Sequence, residues 1–289
     1  MIYTIKNDYL SVDVNSKGAE LWSIKKDGTE YLWQGNAEFW ANRATTLFPY
    51  VARLNQEKCI VDGKEYSMQI HGFAKLYDFS VKTQKEDLIE LEITSNEETL
   101  KAYPFEFAFR ITFSLEKNSL VTKYEVENNG TKTMYFGVGG HTGFNVPLDD
   151  GLDFTDYELE FVKKHEPIIV GVSDDTKLIT GKDTKANFGQ VLKLRHDLFD
   201  HDAILMKNMS DEVILKSEKG EKSIKVHYPS MKYLAIWHKP LTKAPYVCIE
   251  PWSSTPSRED RIEDLAKQEN LISLESNKIY ENIWTITIN

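Results

Sequence analysis

The runs FRITFSL (residues 109–115) and LVTKYEVEN (residues 120–128) decide the class of fold. Phe109, Ile111, Phe113 and Leu115 recur at every second position, as do Leu120, Thr122, Tyr124 and Val126. That period sends one set of side chains into a core and the other towards water, as a half-buried β-strand requires. YLSVDV repeats it with Leu10, Val12 and Val14. Asp27-Gly28, Asp62-Gly63, Asn129-Gly130 and Lys219-Gly220 punctuate these runs with residues that tolerate positive φ, and most of them read as hairpin connections. Only two stretches read as helical, Asn96 to Ala102 and Ser257 to Lys267. In the second, Ser257 can cap, Asp260 follows three residues on, and Ile262, Leu265 and Ala266 share a face. Many short strands without alternating helices predict an all-β fold, a large antiparallel sandwich. No Pro-, Gly- or Ser-rich linker divides the chain, so residues 1–289 are expected to form one domain, with LDDGLDF (148–154) as a long loop.

Composition narrows the partners. The chain is 41% apolar and 28% charged, which fits a folded globular protein and not a disordered one. Its 35 Lys and Arg against 45 Asp and Glu give a net charge of -10, which disfavours nucleic acid and anionic membrane surfaces because both need a basic face. The opening MIYTIKNDYLSVDV lacks a basic segment followed by an apolar one, and no apolar run approaches the roughly 18 residues of a membrane span. A cytoplasmic location is therefore expected. Cys59 and Cys248 lie in separate strand-like runs without CxxC spacing and read as buried free thiols. Most of the 6 Trp, 14 Tyr and 14 Phe must fill the space between sheets. Trp33, Phe144 and Trp252 stand beside polar residues at strand ends, where a flat ring flanked by hydrogen-bonding groups suits the face of a sugar.

The chain has no GxGxxG before a helix, no Walker loop, no GxSxG, no HExxH and no CxxC pair, so the chemistry left to it is that of acids and bases. Glu250 ends the apolar run Tyr246-Val247-Cys248-Ile249 and is followed by Pro251 and Trp252. A carboxylate in such surroundings is partly desolvated, which raises its proton affinity and makes it a better base at neutral pH. In GGHTGFNVP (139–147), His141 stands behind two glycines and ahead of Phe144, Asn145 and Pro147, which reads as an open strand end offering an imidazole. IHGFAK repeats the design with His71 and adds Lys75; Arg53, in LFPYVARLN, supplies a planar donor fork suited to oxygen-rich ligands. RHDLFDHD (195–202) gathers two histidines and three aspartates, but its spacing fits no common zinc signature and reads as a polar loop, so no metal is expected. His165, His227 and His238 have no evident partner.

Taken in order, FPYVARLN, IHGFAK, GGHTGFNVP, HDAIL and CIEPWSS resemble the aldose 1-epimerase (galactose mutarotase) family, most closely its LacX branch, and the similarity spans essentially the whole chain. The resemblance implies a twisted β-sandwich that holds a monosaccharide without a cofactor. By the same likeness His141 matches the general acid that protonates the ring oxygen, and Glu250 the general base that deprotonates the anomeric hydroxyl. Arg53 and His71 match substrate-contacting residues, and Asp202 an aspartate bonded to sugar hydroxyls, with Asp197 and Asp200 as alternatives. Phe144, Asn145 and Trp252 would line the pocket. Lys75 stands where relatives acting on hexose 6-phosphates often carry arginine, a departure that lowers the reading of a phosphorylated substrate without excluding it, since lysine still binds phosphate as a point charge. A non-catalytic carbohydrate-binding sandwich and a glycoside hydrolase or lyase are the competing readings; hydrolysis usually needs two carboxylates flanking the bond.

Overall fold

The computed structural model describes residues 1–163 and 166–289, so His165 lies outside it. Two large antiparallel sheets organise the chain. The first has nine strands, in the order 191–193, 157–161, 212–217, 224–227, 279–288, 119–128, 107–116, 88–94 and 80–84. Near its middle is the expected hairpin, in which Phe107–Glu116 pairs with Ser119–Asn128 from Phe107 opposite Asn128 to Glu116 opposite Ser119. Burial alternates at every position of Ser119–Asn128, as the period of two required.

The second sheet has seven strands, in the order Thr184–Lys185, Ile168–Ile169, Ile204–Lys207, Tyr233–Trp237, Tyr246–Trp252, Gly139–Asn145 and Ala44–Leu47. Its inner face supplies Met206, Leu234, Ile236, Val247, Ile249 and Phe144 to the same core that receives Phe109, Ile111, Tyr124 and Trp284 from the first sheet. Phe48, just past the edge strand, stacks on Phe109 at 4.3 Å and joins the layers. The outer face carries a smaller cluster containing Leu205, Ala235 and Trp252 and another containing Trp33, Tyr246 and Cys248. With both faces covered, Tyr246–Trp252 is buried at all seven positions, which explains why its first four residues read as an unbroken apolar run. A four-stranded sheet built from residues 2–30 adds Ile5, Leu10, Val12 and Val14 to the core.

Several expectations need correction. Asp27-Gly28 and Asp62-Gly63 do turn tight hairpins, with both residues of each pair at positive φ. Lys219-Gly220 lies in the longer link between the paired strands 212–217 and 224–227, and neither residue needs positive φ. Asn129-Gly130 leads to a strand, Met134–Phe136, that pairs with Ile272–Leu274 instead. The helix at Glu97–Ala102 forms and is capped by Asn96. The one expected over Ser257 to Lys267 does not, and only Leu265–Lys267 makes a short 3-10 turn. Ser257 is fully buried and fastens neighbouring loops: its amide donates to Arg53 O at 2.9 Å, its carbonyl accepts from Ile179, and its hydroxyl oxygen accepts from the Asn55 amide at 2.7 Å. A backbone already bonded across the fold cannot begin a helix.

GGHTGFN is likewise not an open strand end. Gly139–Asn145 is an interior strand of the seven-stranded sheet, buried everywhere except Asn145. Gly140 faces the core beneath Trp284, where a Cβ would lie 2.9 Å from the ring, so the missing side chain serves packing between sheets and not access for a ligand. Gly140→Ala is expected to cost about 1–3 kcal/mol through overpacking, read as a lowered Tm; a variant as stable as the parent would show that the Trp284 contact yields.

Candidate active site

Strand register builds the site. Gly139 pairs with Trp252 and Thr142 with Ile249, a register that sets His141 opposite Glu250. Thr45 lies beside His141 on one flank. On the other, Ala235 pairs with Glu250 and Leu205 with Ala235. Thr45, His141, Glu250, Ala235 and Leu205 thus form a row across five strands, on the face turned away from the nine-stranded sheet. His141 Nε2 stands 3.4 Å from Glu250 Oε2, and the carboxylate is 1% exposed. Above the pair opens a pocket of about 330 Å³ lined by Trp40, Asn42, Thr45, Arg53, His71, Lys75, Lys177, Asp202, Trp237 and Trp252 among others, a volume at the small end of ligand sites.

The surroundings disfavour charge on both members of the pair. Trp40 stacks on the His141 ring at 4.7 Å, while Trp237 and His71 meet it edge-on at 5.5 and 5.4 Å. Burial pushes the imidazole pKa from its ordinary 6.5 to about 3; the ring's own main-chain carbonyl opposes this and Lys75 reinforces it. Burial drives Glu250 well above the carboxylate range, and Asp202 adds to the rise. The Trp252 indole N–H opposes that rise from nearby without meeting hydrogen-bond geometry, and Glu250 Oε2 has no hydrogen-bond partner. Both shifts favour the neutral form, a protonated Glu250 and an unprotonated His141.

His71 has a definite tautomer. The Ala52 amide donates to its Nδ1 at 3.1 Å, so the neutral ring carries its hydrogen on Nε2 and can donate it. Its pKa is held well below the ordinary value by burial first and then by His141, Lys75 and Arg53. Gly72 follows at φ +69, with Phe48 O only 2.3 Å from where a Cβ would stand, so the His71 loop closes only with glycine there. The Lys75 ammonium donates to Ile70 O at 2.6 Å, and burial lowers its pKa. Four of the lining residues have left-handed backbone: Ala52 (φ 59), His71 (φ 65), Lys177 (φ 59) and Asp202 (φ 91). Strained residues of this kind gather where a structure must fix a group against its local preference.

Of the candidates taken from the sequence, the pocket brings together His141, Glu250, Arg53, His71, Lys75, Asp202 and Trp252. Phe144 is not among them. It is fully buried in the main core, because three positions along a strand from His141 means the opposite face. Asn145 instead donates to the carbonyls of Glu30 and Leu32 at 3.0 and 3.1 Å, and Trp33 stacks on Tyr246 at 4.6 Å behind Trp40. Among the three aspartates, Asp202 reaches the pocket, whereas Asp197 pairs with Arg195 and Asp200 ends a short turn. Trp40, Thr45, Trp237 and Lys177 were missed. Trp237 could have been found, since it alternates with Ala235, which pairs with Glu250; Trp40 and Lys177 sit in loops that only the fold brings over the sheet.

RHDLFDHD gathers no metal ligands; among the described residues the group of three or more donors is His141, Cys248 and Glu250. His196 uses its Nδ1 on His238 Nε2 at 3.1 Å, and His201 faces Asp174 at the surface. The His238 Nδ1 hydrogen goes to Lys239 O at 2.8 Å, so Nε2 accepts and His196 must donate. This pair fastens the loop that carries Asp202 to the strand that carries Trp237. His238 is fully buried, and burial lowers its pKa from 6.5 to about 4. The unfolded chain therefore binds the proton first, and stability falls as the pH drops from 6.5 to 4, by up to ~3 kcal/mol from this group. His238→Gln should lose less Tm between pH 7 and pH 5 than the parent does; an identical acid sensitivity would release His238 from this role.

The site thus combines a desolvated carboxylate and imidazole, side by side, in a small aromatic-walled pocket on one sheet of a two-layer antiparallel sandwich. The aldose 1-epimerase family model matches residues 1–281, and the chain belongs to that family, whose members are isomerases of the mutarotase type acting on sugars. It is 33% identical over 291 residues to the plasmid-borne protein LacX of Lactococcus lactis subsp. lactis, covering 96% of this chain and 97% of that protein. Two solved structures share the fold closely. One, a galactose mutarotase related enzyme from Lactobacillus acidophilus, has a TM-score of 0.95 and 32% identity, covering 100% of this chain and 97% of that one. The other, a galactose mutarotase-like protein from Lactobacillus casei, has a TM-score of 0.95 and 29% identity, with full coverage of both chains.

Proposed function

We propose that this protein interconverts the α and β anomers of a free aldohexose, with Glu250 and His141 exchanging protons with the two oxygens on the anomeric carbon. The observation that carries the reading is the 3.4 Å apposition of these side chains on the floor of the pocket. Standing side by side suits this exchange, because O1 and the ring oxygen O5 are both bonded to C1.

One proton shared by the pair suffices. With it on His141, the Glu250 carboxylate takes the O1 hydrogen while the imidazolium delivers its proton to O5; the C1–O5 bond breaks and C1 becomes an aldehyde. Glu250 is then protonated and His141 neutral, the state their burial favours. Rotation about C1–C2 presents the other face of the aldehyde, and closure returns each proton by the reverse path. Asp202, the His71 Nε2 hydrogen and the Arg53 guanidinium supply hydrogen bonds to the sugar hydroxyls and to the oxygen that gains charge, and the Trp252 and Trp237 rings cover its C–H faces. A purely binding sandwich has no need of a buried acid and base in contact.

Glu250→Gln and His141→Asn should each reduce anomer exchange by about 10²–10⁴, the worth of a general acid or base, while sugar binding persists. NMR saturation exchange on freshly dissolved α-glucose and α-galactose checks this, and parent-like exchange in both variants would refute the assignment. One further observation bears on the substrate's charge: Arg53, Lys75 and Lys177 all line the pocket, and among the described residues none pairs with a carboxylate. A phosphorylated aldose is the second reading for that reason. Lys75→Ala is expected to weaken exchange of a hexose 6-phosphate more than of the free hexose, measured as kcat/KM; equal losses on both would remove Lys75 from any phosphate role.

A further inference from the structure

We infer that the acid–base pair doubles as a binding site for a thiophilic divalent cation such as Zn²⁺ or Cd²⁺, with Cys248 as the third ligand and loss of activity as the consequence. A ring nitrogen of His141, Cys248 Sγ and a Glu250 oxygen lie within 4.8 Å of one another, and all three residues are buried. The strand register produces this cluster. Cys248 and Glu250 are two apart and share the outer face of Tyr246–Trp252, while His141 lies directly opposite Glu250 on the neighbouring strand. Glu250 Oε2, the oxygen that faces His141 Nε2 at 3.4 Å, is buried without a hydrogen-bond partner, so the cluster holds a ligand atom that the protein alone leaves unsatisfied.

The distances suit the chemistry. Zinc bonds of about 2.0–2.3 Å set tetrahedral donors roughly 3.5 Å apart, and His141 with Glu250 already stands at 3.4 Å. No two of the three ligand atoms are more than 4.8 Å apart, so the sulfur has at most about an ångström to draw in. Charge also balances. A thiolate, a carboxylate and a neutral imidazole around a dication make an uncharged centre, which a buried site tolerates where a lone charge is expelled. Binding displaces the thiol proton and the proton held by the Glu250–His141 pair into solvent, and the fourth position of the metal faces the pocket. An imidazole–carboxylate–thiolate set favours zinc and cadmium over magnesium or calcium, which prefer oxygen.

The inhibitory half of this inference rests on the proposed anomer exchange; the binding half does not, and the experiment separates them. Chelator-stripped protein is titrated with CdCl₂ and followed by the ultraviolet thiolate-to-cadmium absorption. The expected result is a band saturating at one equivalent, lost in Cys248→Ala and in Glu250→Gln and retained in Cys59→Ala, which removes the other thiol. No band, or a band that survives Cys248→Ala in a folded protein, overturns the site. In parallel, ZnCl₂ should suppress anomer exchange reversibly by EDTA, and Cys248→Ala, which keeps the acid–base pair, should need at least about tenfold more Zn²⁺, since even outer substitutions around a metal cost that much. Equal zinc sensitivity in both proteins overturns the inhibitory role. If the untreated protein shows no exchange on any aldose, the anomerase reading fails while the cadmium titration still decides the site.

Discussion

The structure depends on the register between the strands Gly139–Asn145 and Tyr246–Trp252. Because side chains alternate across a sheet, a slip of one residue would turn Glu250 into the sandwich core and bring Ile249 to the pocket floor. The register is held from both sides. On the inner face Phe144, Val247 and Ile249 are locked in the core, and Gly140 admits Trp284 of the opposite sheet. On the outer face Tyr246 stacks with Trp33 and His141 with Trp40. Hydrophobic packing thus fixes the position of two ionisable groups that packing alone would exclude.

That arrangement sets the electrostatics. A sheet with both faces covered removes water from whatever it carries, so a carboxylate on it gains proton affinity and an imidazole loses it. Placed apart, each would simply be neutral and inert. Placed in contact, as here at 3.4 Å, an acid and a base stand close enough for the proton exchange proposed above. The same desolvation makes the pair, with Cys248 behind it, a setting in which a dication can be neutralised.

The pocket walls obey a different rule from its floor. Floor residues come from regular strands and need no strain, whereas Ala52, His71, Lys177 and Asp202 arrive on loops and adopt left-handed backbone to point inward. Each loop is tied down by bonds distant in sequence: Ser257 to Arg53, Asn55 and Ile179, Ala52 to His71, and His196 to His238. Regular structure gives the floor its fixed geometry, and fastened loops supply the varied donors of the walls.

The amino-acid sequence determined the β class, because a period of two in runs such as LVTKYEVEN is a local property and survives any tertiary arrangement. It marked Glu250 and His141, since a carboxylate ending an apolar run and a histidine behind two glycines are visible without a fold. It also marked Arg53, His71, Lys75, Asp202 and Trp252 through short motifs in order. It misled where a local signal met a competing long-range bond: Ser257 resembles a helix cap until its backbone is seen fastened to two loops, and Phe144 looks adjacent to His141 although strand alternation turns it away. Only the tertiary structure decided that residues more than a hundred positions apart stand opposite each other, that Trp40 and Lys177 close over them from loops, and that Cys248 joins the pair. Those facts depend on strand pairing and loop closure, which are set by the packing of the whole core and leave no periodic trace in any one segment.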